Sequence, residues 1–243
     1  MSLEEFHRNF RSDLQATIAE RIEASEGPFP SEELVFAEKV IEHVAETGIC
    51  EEPVVCHWNG RVGNAKLRIT GYAVSADETA LDLFVTHYFG TEQLQDLADS
   101  DATATASEGV RFLFRAASGN LDARIDPTHS VRDLVATIRS RWGDIDRLRV
   151  FVITDGKTKT KRFSNKEVHD KMVAVEAMDM ERLFRHTDGK PRDELSLSLV
   201  QSIGRPLPCV HVPDPDADYE YALTAIPGQL IRDLYLRFGP RLL

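Results

Sequence analysis

KLRITGYAVSADETALDLFVTHYF, residues 66–89, is the stretch that decides the fold. Residues 66–75 alternate in polarity and are rich in β-formers, the pattern of a half-buried strand. Asp77 and Glu78 turn the chain. Residues 81–89 resume as a second strand with Leu81, Leu83, Val85 and His87 on one face. Upstream, the short apolar run at 54–58 and a turn at 60–64 supply a third strand, so the segment predicts a three-stranded meander.

Working outward, helices flank the meander. Leu3, Phe6, Phe10, Leu14, Ile18 and Ile22 recur at helical steps over residues 3–24. Gly27, Pro28 and Pro30 break the chain. Ser31 is placed to cap a second helix, which buries Leu34, Ala37, Val40, Ile41 and Val44 and ends at Gly48. Residues 91–117 predict one or two helices, with the small polar run DSDATATASE at 99–108 as a link. A turn at Asp126-Pro127 precedes a helix over 130–142.

LRVFVIT, residues 148–154, is the strongest strand, and Asp155-Gly156 after it is a type I′ hairpin signal with a return strand at 157–163. Further strands are expected at 172–175, 195–200, 209–212 and 219–225, and helices at 176–186 and after Pro227-Gly228. The expected fold is α/β. Residues 1–120 and 121–243 form two parts with a soft boundary near 119–128, packed into one domain.

The net charge of −11 repels nucleic acid and anionic membranes unless basic residues concentrate locally. The strongest basic cluster is Lys157, Lys159 and Lys161, on one face of the expected hairpin arm, with Arg162 on the other. These are nucleic-acid-binding candidates, or lysines guarding an edge strand. Cys50, Cys56 and Cys209 are too few and odd in number for a disulfide framework, which points to a reducing cytoplasm. No secretion signal and no apolar run of about 20 residues is present, so no membrane partner is expected.

Cys50, Cys56 and His57, like Cys209 and His211, lack the second closely spaced ligand pair of a zinc site, and neither a metal nor a cofactor is expected. GxxxxGK[ST], GxGxxG, GxSxG and HExxH are all missing, which removes the commonest nucleotide, serine-hydrolase and zinc-protease readings.

Helix, meander, helices and further strands in this order resemble a restriction-endonuclease-like core with additional β-hairpins. Such a core holds Mg²⁺ between an Asp on one strand and an acid-x-Lys on the next. Here the first position reads Thr70, and the second reads Val85-Thr86-His87. Asp82 lies five residues before His87 and so points to the opposite face. Asp82 and His87 are the catalytic candidates that remain, and the nuclease site is expected to be inactive.

Three segments together resemble the AIPR (abortive infection phage resistance) family. They are the meander with Gly71-Tyr72; VAVEAMDMERLFRH, where Asp179 and Arg182 match and Met178 replaces an aromatic; and YALTAIPGQLIRDLYLRFGPRLL, with Pro227, Gly228, Leu234, Tyr235, Gly239, Arg241, Leu242 and Leu243. The resemblance implies the N-terminal region of a bacterial phage-defence protein whose last run continues as a helix into a further region. That C-terminal region is the expected partner, with nucleic acid or a phage component beside it. The expected role is non-catalytic, binding or scaffolding. Alternatives are a metal-dependent nuclease with a variant site, needing Mg²⁺ as cofactor, and a nucleic-acid-binding module without chemistry.

Overall fold

A computed structural model describes residues 1–24, 31–119, 121–187, 200, 203–212 and 221–238, and the chain divides into two units, Met1–Asp188 and Gly189–Leu243. The meander forms where alternation placed it. β1 (Val54–Val62), β2 (Ala65–Val74) and β3 (Ala80–His87) pair antiparallel in chain order. The first turn is tighter than expected. Pairing runs out to Val62 and Ala65, so only Gly63, at φ +60°, and Asn64 reverse the chain.

β3 then becomes the centre of a six-stranded sheet ordered β1-β2-β3-β5-β8-β7, with β5 at Arg147–Thr154, β7 at Arg162–Val168 and β8 at Lys171–Met178. β3, β5 and β8 run parallel, and β7 returns antiparallel to β8. Helices α1 (Leu3–Glu23), α2 (Glu32–Glu46) and α5 (Met180–Thr187) pack one face around Phe36, Phe84 and Phe151. Helices α3 (Asp99–Ala117) and α4 (Val131–Arg141) pack the other around Val85, Phe112 and Val150. β3 is buried on both faces, which explains its almost unbroken apolar run. Both outer strands are irregular: β1 bulges between Val55 and Trp58, and β7 between Phe163 and Lys166.

Ser31 caps α2 as expected, its hydroxyl accepting from the Leu34 N–H. α1 carries a capping box that the apolar stripe alone did not reveal. Ser2 Oγ accepts from Glu5 N–H and the Glu5 carboxylate accepts from Ser2 N–H, on a plain S-x-x-E spacing.

Three expectations are corrected. The run at 99–108 is no link: it is the first half of a single helix. Ala102, Thr105, Ala106 and Gly109 are buried, and a Cβ on Gly109 would lie 2.6 Å from Val85 Cγ2, so the small residues let α3 approach the sheet closely. Asp155-Gly156 opens no hairpin. β5 is flanked by β3 and β8, both parallel, which leaves no place for an antiparallel return strand. Residues 157–158 instead form β6, bridging in parallel to β4 (Asp96–Leu97), and the true hairpin is β7–β8. Residues 176–178 belong to β8, and α5 starts only at Met180.

Residues 119–128 lie within the first unit, between α3 and α4. In the second unit β9 (Cys209–Val212) pairs antiparallel with β10 (Tyr221–Thr224), and α6 (Gly228–Phe238) begins where Leu230 N–H reaches the Pro227 carbonyl. The strand expected at 195–200 is outside the described residues except for Val200, as are the acidic stretch PDPDAD at 213–218 and Gly239, Arg241, Leu242 and Leu243. Among the described residues no helix is long and apolar enough to cross a membrane.

Gly71 shows how closely α2 sits on β2. A Cβ there would lie 2.7 Å from Ile41 Cδ1 and 3.0 Å from the Val54 carbonyl oxygen. Gly71→Ala is expected to cost about 1–3 kcal/mol. A urea midpoint equal to that of the parent would show that α2 yields freely.

Candidate functional site

β3 ends beneath the start of α2 and the flank of α3, and a shallow cleft of about 350 Å³ opens there, lined by Glu33, Lys66, Arg68, His87, Thr105 and Glu108. Arg68 occupies its centre. The guanidinium lies 3.0 Å from Glu108 of α3 and 3.5 Å from Glu33 of α2, and donates to the Thr86 carbonyl. Lys66 stands 3.0 Å from the same Glu108. The side chains of Arg68 and Glu108 are only 16% and 15% exposed, so their attraction is weakly screened. His87 meets Thr105 Oγ1 through Nδ1 at 3.2 Å. Burial, and then the Arg68 charge, hold its pKa below the ordinary histidine value, which keeps the ring neutral at pH 7.

Thr70, Asp82 and His87 share no cleft. Thr70 is buried, and its hydroxyl accepts from the Thr86 N–H at 3.1 Å and the Thr86 hydroxyl at 3.0 Å. Asp82 sits toward the other end of β3, on the face opposite His87. There it grips Arg149 of β5 bidentately, at 2.7 Å to Nε and 2.6 Å to Nη2. Arg149 also donates to the Ile49 carbonyl and stacks over Phe151. Mg²⁺ therefore fits this place poorly: of the three carboxylates that line the cleft, Glu33, Asp101 and Glu108, the first and last are engaged with a guanidinium. Among the described residues no three His, Cys, Asp or Glu side chains gather as a ligand set. Burial pushes the Cys50 thiol up to about 11 and the Cys56 thiol up to about 12, far from thiolate chemistry.

The family model of the abortive infection phage resistance protein N-terminal domain matches residues 36–185, more than half of the chain. The chain belongs to the AIPR family. No curated protein and no solved structure gives a match.

The match spans two of the three AIPR motif segments, and the geometry gives their residues definite work. Gly71 admits α2, and Tyr72 packs half-buried against the α3–α4 layer. Asp179 is fully buried at the end of β8. Its carboxylate accepts from Thr158 N–H at 2.7 Å, from Thr158 Oγ1 at 3.1 Å, from Lys161 Nζ, and from Arg182 N–H at 3.0 Å, the last as the N-cap of α5. Arg182 returns to Glu176 at 2.9 Å. The third segment, with Pro227, Gly228 and Tyr235, lies beyond the matched residues.

The expected row of lysines in the AIPR domain is broken up. Lys161 turns inward to Asp179 and to Glu181 at 2.8 Å. Lys157 is half-buried beside β4, Lys159 is exposed, and Arg162 is exposed 3.9 Å from Glu176. What sequence reading missed is a third buried acid beside Asp82 and Asp179: Asp155, whose carboxylate accepts from Phe89 N–H at 2.7 Å and Gly90 N–H at 2.9 Å and so ties the exit of β3 to the end of β5. Its only local signal was Asp-Gly, which also spells a turn. Glu33, Arg68 and Glu108 were missed because they meet from three separate elements.

One buried histidine, His7, and two half-buried ones, His43 and His87, are expected to make the stability of the AIPR domain pH-dependent. Burial lowers the pKa of His7, His43 and His87 below 6.5 in the folded state. The unfolded chain therefore binds more protons, and this stability is present above pH 6.5 and lost progressively as pH falls from there through the lower folded-state values. Asp155, raised by burial, contributes with the opposite sign. A thermal melt at pH 5.5 is expected to lie below one at pH 7.5, with a smaller gap for His7→Phe. Identical melts would contradict it.

Proposed function

We propose that this AIPR domain serves phage defence as a non-catalytic binding scaffold built on a restriction-endonuclease-like core. The sheet supports the core: an antiparallel meander followed, across α3 and α4, by a strand parallel to β3. The observation that carries the non-catalytic reading is Arg68, a cation built into the chain between Glu33 and Glu108, where a nuclease of this layout holds its metal. Asp82, the one acid left on β3, is spent on Arg149. The partners this reading expects are the rest of an AIPR protein and a phage component, and two buried free thiols fit a reducing cytoplasm.

The test combines an assay with a repair. The purified chain is expected to leave supercoiled plasmid and structured RNA intact with Mg²⁺ or Mn²⁺, and its melting temperature is expected to ignore both ions. Arg68→Ala, which frees Glu33 and leaves Glu108 with Lys66 alone, is expected to gain melting temperature with millimolar Mn²⁺. Metal-dependent cleavage by the parent chain, lost in His87→Ala, would overturn the reading.

A further inference from the structure

We propose that the β7–β8 turn and the neighbouring ends of α3 and α4 form a platform for single-stranded nucleic acid. The proposal is independent of the Arg68 cleft and concerns a different surface. His169, at the tip of the turn, holds φ +53°, a conformation that L side chains seldom adopt. Its ring stacks on Phe114 of α3 with centroids 4.6 Å apart and planes 14° from parallel, and meets the edge of Trp142 at 5.9 Å. Ser118 Oγ and His169 Nε2 are 3.1 Å apart, and Trp142 Nε1 donates to Asp170 at 3.1 Å. The three rings are thus fixed by neighbours, yet they remain at the surface: Phe114 is 40% exposed and His169 is exposed.

The charge around the rings is opposite in sign to that of the chain. Arg115 lies over Phe114 at 5.8 Å, and Lys171 lies over Trp142 at 5.7 Å. Arg111 is exposed one helical turn before Arg115 on the same side of α3. Arg139 lies against Gly119, 3.6 Å from where a Cβ would stand, next to the serine that meets His169. Two acids adjoin them, Asp170, which is engaged with Trp142, and Glu167 on β7, so the cations remain in excess. In a chain of net charge −11, a local surplus of cations around preset rings fits a partner that is anionic and carries flat faces. Single strands offer both, because unpaired bases stack on aromatic rings while the phosphates meet arginine and lysine. A duplex hides its base faces, and an acidic peptide has little use for the stack.

Fluorescence anisotropy with labelled 20-nucleotide oligo-dT and oligo-U, using the full chain, tests this. Saturable binding that weakens as salt rises is expected. Phe114→Ala and His169→Ala are each expected to weaken it about tenfold, and Arg115→Glu at least as much, while Lys159→Glu leaves it unchanged. Phe114 and His169 are exposed, and a thermal melt of each variant separates lost binding from lost folding. No binding to either oligomer at low salt would overturn the proposal. So would binding that the three platform variants leave intact, or saturable binding to poly-glutamate alone, which would assign the surface to an acidic protein.

Discussion

Asp82→Ala is expected to destabilise the first unit by about 3–5 kcal/mol, the largest effect expected of any single substitution. Its side chain is 3% exposed and its bidentate partner Arg149 is 17% exposed, so truncation leaves a guanidinium held in the interior with the Ile49 carbonyl, the Phe151 ring and the less direct charge of Glu176. Removing both charges is a different matter. Asp82→Leu with Arg149→Met restores an apolar pair of similar bulk and is expected to fall within about 1 kcal/mol of the parent. Urea unfolding of Asp82→Leu, Arg149→Met and the double variant reads out the cycle. The result also judges a rival role: a catalytic Asp82 would leave the unfolding midpoint in place and abolish cleavage instead. A midpoint unchanged in Asp82→Ala would contradict the structural role of the Asp82–Arg149 pair.

Asp179→Ala comes second, at about 2–4 kcal/mol, because one carboxylate closes two features at once. It caps α5 through the Arg182 N–H, and it anchors the segment from Thr158 to Lys161. Alanine removes the cap, orphans the buried Thr158 N–H and strips Lys161 of its nearer acid, leaving Glu181. Asp179→Asn keeps an acceptor but not the charge, and is expected to fall between parent and alanine. Limited trypsin digestion gives an independent reading, since cleavage at Lys157, Lys159 and Lys161 should accelerate in the alanine variant. Equal digestion rates would mean that the segment is held from elsewhere.

The meander was legible because its two signals, alternation in β2 and the long apolar run of β3, are local. The Ser31 cap and the α2 stripe were legible for the same reason. The Asp155-Gly156 turn was misread because a dipeptide carries no information on what flanks its strand. Only the parallel neighbours β3 and β8 exclude a hairpin there. The run at 99–108 was misread because small polar residues serve equally in linkers and in close helix–sheet contacts. The opposition of Asp82 and His87 followed from the period of a strand, but the partner that absorbs Asp82 lies 67 residues away. Glu33, Arg68 and Glu108 converge from α2, β2 and α3, a juxtaposition that no window of sequence contains. The family resemblance supplied the link to phage defence, which composition and periodicity do not carry.

The bulges in β1 and β7 bear on how the protein behaves at high concentration. A regular outer strand offers a ladder of unsatisfied amides that a second molecule can extend, the first step toward fibres. Here each outer strand of the main sheet breaks its register partway along, at Val55–Trp58 and at Phe163–Lys166. An incoming strand would find no continuous template on either side. The six-stranded sheet of the first unit is thereby a poor template for strand-by-strand growth.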